Sequence, residues 1–432
     1  MVSHGRYTGS FFSTMSILSY LFLVGIACAS DDEGTLTPAP EPTPEPVELV
    51  WATEIHNRDG FGEGITPVSL DGGERIAFVH DGDSVMRVYH LDPGSGAVMD
   101  SFVVDDPSGR GGQLARHDDR LVVGEDILSL RFRSPIRFSL RDGTLRWMQV
   151  EANLYDPTVT TDAVYGGTDL EYNAPTRLQA YDAETGELTA DFTGPFFPGN
   201  KRGILGAIHP HTLPDGSRYL TAVEISHDLD TPSQTRSHLL AYDLATGAEL
   251  WRREHFGPGN VSSQTPVVYE GVVIQAAADP VHAFDPATGE RVWRTAPCAQ
   301  GGGDTGRPCG GYYPMSSPAL SEADGLVYFA DVNGANVCLD AATGRYRWRQ
   351  GDHGNFGVNQ LIGGGLHAAN SFSGVVRLRD RHTGELLGVV ENVTTRGRIQ
   401  SGLYLDEERR LVYGYDGARA FCYRLNFELP GE

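Results

Sequence analysis

Residues 283–295 read AFDPATGERVWRT. Asp285 can accept hydrogen bonds from the backbone just ahead of it, and Gly289 permits positive φ, so the six residues FDPATG form a tight turn. Apolar, β-prone residues stand on both sides, VHAF before the turn and RVWRT after it. The stretch therefore reads as a strand, a turn and a second strand, with Trp293 four residues past the turn glycine.

The same unit recurs along the chain. LDPGSG ends at Gly96, LRDGT centres on Gly143, YDAETG ends at Gly186, YDLATG at Gly247, LDAATG at Gly344 and RDRHTG at Gly384. Successive glycines are 47, 43, 61, 42, 55 and 40 residues apart. Trp147, Trp251 and Trp348 follow their glycines by four residues, as Trp293 does. Each unit also holds an earlier β-rich run (ERIAFVH, DAVYGGT, GVVIQAA, GLVYFAD) and, before it, a strand opening near a proline such as Pro67, Pro266 or Pro318. Proline is tolerated there because an innermost strand has one unpaired edge. No stretch has helical periodicity. Four short strands per unit at periods of 40 to 60 residues are the pattern of propeller blades.

Seven turns are visible, and the chain then ends on SGLYLDEERRLVYGYDGARAFCYRLNF, which supplies only three strands. VELVWATEIH, at the other end, puts Trp51 where the repeat places its outer-strand tryptophan. The sequence thus predicts an all-β, eight-bladed β-propeller of four-stranded blades, the N-terminal strand completing the last blade and leaving no open end. The five tryptophans, Trp51, Trp147, Trp251, Trp293 and Trp348, are expected to be structural residues between blades.

The chain of 432 residues has a net charge of −23, with one lysine, Lys201, against 33 arginines. Such acidity excludes nucleic acid as a partner, since no basic stripe could neutralise phosphates. It also disfavours adhesion of the folded body to an anionic lipid surface. Residues 1–29 read as an export signal, with a short apolar core that is too brief for a membrane span. Gly25-Ile26-Ala27-Cys28 resembles a bacterial lipobox, apart from Gly25 where leucine is usual. Lipidation at Cys28 is the favoured reading. Ala27-Cys28-Ala29 also fits an ordinary signal cleavage, which would release a secreted protein. Residues 30–46 are a Pro/Glu-rich linker, extended and semi-rigid, and residues 47–432 are the propeller. In an oxidising compartment Cys298 and Cys309, which bracket a glycine-rich decapeptide, are expected to form a disulfide. Cys338 and Cys422 lie in apolar strands as buried thiols.

The string AFDPATGERVWRT and its relatives resemble the PQQ-like (quinoprotein-type) repeat over residues 47–427, most strongly from Gly247 to Trp348. Two classes share that repeat. Quinoprotein dehydrogenases clamp their quinone between a tryptophan and a disulfide of adjacent cysteines, and hold calcium nearby. This chain has no adjacent cysteine pair, so no cofactor residue carries over and no cofactor is expected. The other class, BamB-type outer-membrane assembly lipoproteins, has a similar length, a lipidated cysteine and eight blades. That resemblance implies a non-enzymatic, monomeric, membrane-anchored scaffold facing the periplasm or cell surface and binding envelope proteins. A ligand- or polysaccharide-binding envelope module is the alternative, with a quinone-dependent dehydrogenase behind it.

No catalytic or metal residue is assigned. His209-Pro210-His211 is a tight histidine pair with no third ligand close in sequence, and it reads as part of a loop. Residues 331–336, DVNGAN, lack the twelfth-position glutamate of a calcium loop and read as a strand connection. The long insertions 192–206, 225–238 and 298–313 all fall on the face opposite the Asp-to-Gly turns. They carry Phe196, Phe197, Arg202, Tyr312 and Tyr313, which are the candidate interface because aromatics and arginine dominate interface hot spots.

Overall fold

Tyr413 pairs with Cys422, and Cys422 pairs with Trp51, across three adjacent strands. Tyr328, Cys338 and Trp348 repeat the trio in a second sheet. The second trio comes from one continuous run of chain, whereas the first joins its two ends. The shared register puts Val47–Glu54 in the outer-strand position of the sheet built by Tyr404–Asp406, Leu411–Tyr415 and Arg419–Leu425. The N-terminal strand completes the last blade, as the sequence predicts.

The computed structural model describes residues 46–55, 63–64, 66–81, 85–105, 121–131, 134–150, 152, 154–168, 177–193, 201–212, 216–228, 236–258, 266–276, 281–295, 318–330, 335–351, 359–370, 375–391 and 402–431. All lie in one compact unit, Pro44–Glu432. They form eight antiparallel sheets. Blades one to seven span 63–104, 121–148, 154–193, 201–258, 267–295, 319–351 and 359–390, and blade eight joins 404–425 to 47–54. Seven sheets have four strands. Blade one has a fifth, because Glu63–Gly64 and Val68–Leu70 both pair with Arg75–Asp81.

Each blade buries both its faces, so apolar clusters sit between neighbours. Val79 and Val88 of blade one meet Ile136 and Phe138 of blade two. Leu128 and Trp147 meet Val164 and Tyr181 of blade three, whose Leu178 meets Leu220 and Leu240 of blade four. Trp251 of blade four lies edge-on to Phe284 of blade five, with ring centroids 6.3 Å apart. Val281 and Phe329 join blades five and six, Trp348 and Leu361 join six and seven, and Leu378 and Phe421 join seven and eight. Trp51 and Tyr413 of blade eight close the circuit on Ile76 and Phe78 of blade one. Burial of large side chains stabilises by about 1.5–3 kcal/mol each, so these eight seams hold the ring together.

Blade eight has no third-to-fourth turn, because its outer strand comes from the other end of the chain. Blade seven therefore has no turn to cover, and its residue four past the turn is Gly388 rather than tryptophan. A side chain there would collide with Val47 and press on Phe427. The C-terminal tail fills this seam: Asn426 N donates to Pro46 O at 3.0 Å, and Gly431 N reaches Gly364 O at 3.3 Å.

Candidate functional site

Two faces of the ring differ in construction. On the turn face, each aspartate caps its own turn. Asp92 Oδ1 accepts from Ser95 N at 2.7 Å, Ser95 Oγ at 2.7 Å and Gly94 N at 3.1 Å. Asp182, Asp243, Asp285, Asp340 and Asp380 also accept from the backbone N–H three residues on. Ser139 takes this role in blade two, with Arg141 N donating to its Oγ at 3.1 Å. Hydrogen bonds from Ser95, Thr185 and Thr246 hold the carboxyls of Asp92, Asp182 and Asp243 below the ordinary value.

The preceding blade then engages each turn. Trp51, Trp147, Trp251, Trp293 and Trp348 donate Nε1–H to Pro93 O, Ala183 O, Pro286 O, Ala341 O and Arg381 O at 2.9–3.2 Å. Each acceptor is the residue after the capping position. Two residues beyond the indole, Thr53 Oγ1, Gln149 Nε2 and Arg253 Nε donate to the carbonyls of Gly96, Gly186 and Gly289 at 2.6–3.0 Å. Blades one and three, which have no tryptophan, use Phe102 and Phe192, six residues past their glycines, against Gly143 and Gly247. Residues two apart on a strand share a face, so the same seat is filled from one step further along. Arg137, Arg141 and Arg146 add ion pairs on this face, such as Arg137 Nε to Asp126 at 3.0 Å and Arg141 Nη2 to Asp71 at 2.7 Å. Donors and acceptors of the turn face are largely spent on holding blades together.

The opposite face bears the second-to-third connections and the links between blades, and blade four departs from the others there. Its strands Lys201–Thr212, Arg218–Asp228, Arg236–Asp243 and Glu249–Pro258 are 12, 11, 8 and 10 residues long. Inner strands of blades five and six have three residues each. The added length lies at one end: Lys201 pairs with Asp228, Arg202 with His227, Ser226 with Arg236, and Arg236 with Pro258. A sheet extension thus rises on the loop face.

This corrects part of the sequence reading. The insertions 192–206 and 225–238 contain strand as well as connection. Arg202 stands on the inner strand of the extension. Phe196, Phe197, Tyr312 and Tyr313 lie outside the described residues, as do Cys28, Cys298, Cys309 and residues 331–334. His209 and His211 lie within the inner strand rather than a loop, with Pro210 between them paired to Leu220. The proline masked the strand in the sequence; an innermost position accepts it. The alternation of RYLTAVEISHD was the signal available.

The histidine pair is a packed stack. Ring centroids of His209 and His211 are 4.8 Å apart, and His211 stacks on Tyr219 at 5.0 Å. His211 Nε2 is 2.9 Å from Thr221 Oγ1. Burial, with His209 beside it, pushes the His211 imidazole down to about 3, and burial pushes Tyr219 up to about 12. Both act as neutral spacers near pH 7. No cluster of three metal-ligating side chains occurs among the described residues.

Residues 235–401 match a family model described as outer membrane protein assembly factor BamB. The BamB-type match runs from the third strand of blade four through blade seven. No curated protein matches the sequence significantly. Among solved structures, BamB from Moraxella catarrhalis is 15% identical, with a TM-score of 0.55, covering 88% of this chain and 99% of that one. A europium-containing methanol dehydrogenase is 16% identical with a TM-score of 0.59, covering 87% and 85%. The computationally designed Ika8 protein is 12% identical with a TM-score of 0.57, covering 87% and 99%. An assembly factor, a dehydrogenase and a design share this geometry, so the likeness establishes the ring and not the activity.

Proposed function

We propose that this chain is an exported β-propeller, tethered by a lipid on Cys28 and the linker 30–46, that serves as a non-enzymatic protein-binding scaffold of the cell envelope. Outer-membrane protein assembly is the process to test. The observation that carries the reading is the asymmetry of the two faces. The turn face carries the indole-to-carbonyl bonds between blades, and the loop face carries a four-stranded extension that blade four alone has among the described residues. The BamB-type match across blades four to seven supports it. Phe196, Phe197, Arg202, Tyr312 and Tyr313 are the proposed contact residues.

A quinone-dependent dehydrogenase is the reading that the enzyme neighbour suggests, but the residues do not fit that cofactor. The adjacent-cysteine clamp has no counterpart: Cys338 and Cys422 are buried free thiols in separate blades. All five indole N–H groups are spent on turn carbonyls. Titration with pyrroloquinoline quinone and calcium should leave the absorption spectrum and melting temperature unchanged, and a shift in either would revive the enzyme.

Lys201 is the chain's one lysine and stands at the start of the extension. Amine-directed crosslinking in intact cells will therefore capture whatever sits on this face. A recurring barrel-assembly partner supports the assignment, and capture of no protein defeats the scaffold. Folded protein carrying alanine at Phe196, Phe197 and Tyr313 is expected to lose the partner. Unchanged capture removes this face from the proposal.

A further inference from the structure

His209 and His211 are alternate residues of one strand, so their rings leave the sheet on the same face, together with their paired residues Thr221 and Tyr219. Pro210 between them has a fixed φ, which stiffens the segment. Both histidines are half-buried, and their ring centroids are 4.8 Å apart. Other histidines of the ring stand singly and are engaged. His90 Nε2 lies 2.7 Å from Leu140 O, His80 Nδ1 lies 2.6 Å from Tyr415 OH, and His367 stacks on Tyr328.

Hydrogen bonding determines which nitrogens of the pair are left over. The Thr221 hydroxyl donates to His209 O at 3.4 Å, so its oxygen accepts from His211 Nε2–H at 2.9 Å. That bond holds the proton on Nε2 and leaves the Nδ1 lone pair of His211 available. His209 Nδ1 has no hydrogen-bond partner among the described residues. Burial lowers both imidazoles below their ordinary value, so near pH 7 protons compete little for these nitrogens.

The spacing suits a shared ion. An imidazole bound at about 2.1 Å has its centroid about 3.2 Å from the metal, so two such rings at about 90–110° lie roughly 4.5–5.2 Å apart. We infer that His209 and His211 hold one late divalent transition-metal ion between their Nδ1 atoms, with water in its remaining positions. Imidazole suits copper, nickel and zinc, and the affinity should be highest for Cu2+. Open water positions make this a site that can accept a further ligand rather than a closed structural one.

Titration of the full chain with Cu2+, followed by calorimetry and electron paramagnetic resonance, tests this. One equivalent bound through two imidazole nitrogens is expected, with Ni2+ and Zn2+ weaker. His209→Gln and His211→Gln should each weaken that binding by about tenfold or more, and Thr221→Val, which releases the His211 tautomer, by about tenfold. A chain that binds no Cu2+, or binds it through a single imidazole, overturns the inference. So does binding undiminished in either glutamine variant. If those variants fail to fold, the two-nitrogen signal of the wild type and the Thr221→Val titration decide, and Cu2+ binding unaltered by Thr221→Val then counts against the site.

Discussion

The indole Nε1 of Trp51 donates to the carbonyl of Pro93 at 3.0 Å. Through that bond, the first strand of the folded body holds the turn of the blade that follows it in the ring. Thr53 adds a bond to Gly96 O at 2.6 Å, and the Trp51 ring covers the Gly96 Cα. One segment therefore both completes blade eight and clasps blade one. Removing residues 47–56 should destabilise the entire ring, and Trp51→Ala alone should cost about 3–5 kcal/mol. Urea unfolding of both variants checks this. A truncated protein that melts like the parent would show that the closing strand is dispensable.

Two glycines separate backbone strain from packing. Gly124 and Gly289 have φ of 63° and 68°. A Cβ on Gly124 meets nothing within 4 Å, whereas one on Gly289 lies 2.6 Å from Trp251 Cε3. Gly124→Ala should cost about 1–2 kcal/mol, the left-handed penalty alone. Gly289→Ala should cost about 1–3 kcal/mol more, because the indole must leave its seat. Paired denaturation curves, with tryptophan fluorescence reporting on Trp251, distinguish the two costs.

Acid should weaken the ring in two stages. Burial holds His211 and His367 down to about 3 and His282 to about 4, against an ordinary 6.5. The folded values lie below the unfolded ones, so between them the unfolded chain binds more protons. Stability from the neutral imidazoles is complete above about pH 6.5 and is lost as pH falls toward 3–4. The depressed carboxyls of Asp92, Asp182 and Asp243 add a further loss below about pH 4. Urea midpoints taken across this range should fall steadily with acid. His367→Asn should flatten part of the slope between pH 6 and 4, and an unaltered slope would discharge His367 from the effect. That ring lies 5.1 Å from Tyr328 and 5.8 Å from Trp348, so the variant will also be less stable at pH 7.

Cys338 and Cys422 are fully buried, and burial raises both thiols to about 12. Neither should react with a thiol reagent in the native ring. Cys422 lies directly against Trp51 in the register, so release of the N-terminal strand should expose it before Cys338, which sits in an uninterrupted blade. Mass spectrometry of labelling in mild urea should find Cys422 modified first; simultaneous labelling would mean that blade eight opens only with the whole ring.

Much of the ring was readable because each blade advertises itself locally. A capping aspartate, a glycine of positive φ and an indole four residues on are determined within one hairpin. Blade two was faint because Ser139 replaces the aspartate, and blades one and three hid their aromatics at Phe102 and Phe192, one strand step further on. Gly388 stands where the repeat elsewhere has its tryptophan, and Val47 and Phe427 leave no room there for a side chain.

By itself, then, the sequence determined the blade, the number of blades and the strand that closes the last one, since each rests on turn chemistry and two-residue alternation. Only the tertiary structure decided that blade four's inserted chain continues as strand through Pro210 and that the C-terminal tail fills the seam at Gly388. Those outcomes depend on neighbours that meet only when the ring closes. Trp51 and Pro93 lie 42 residues apart and His80 and Tyr415 lie 335 apart, and no local propensity encodes what waits across such a gap.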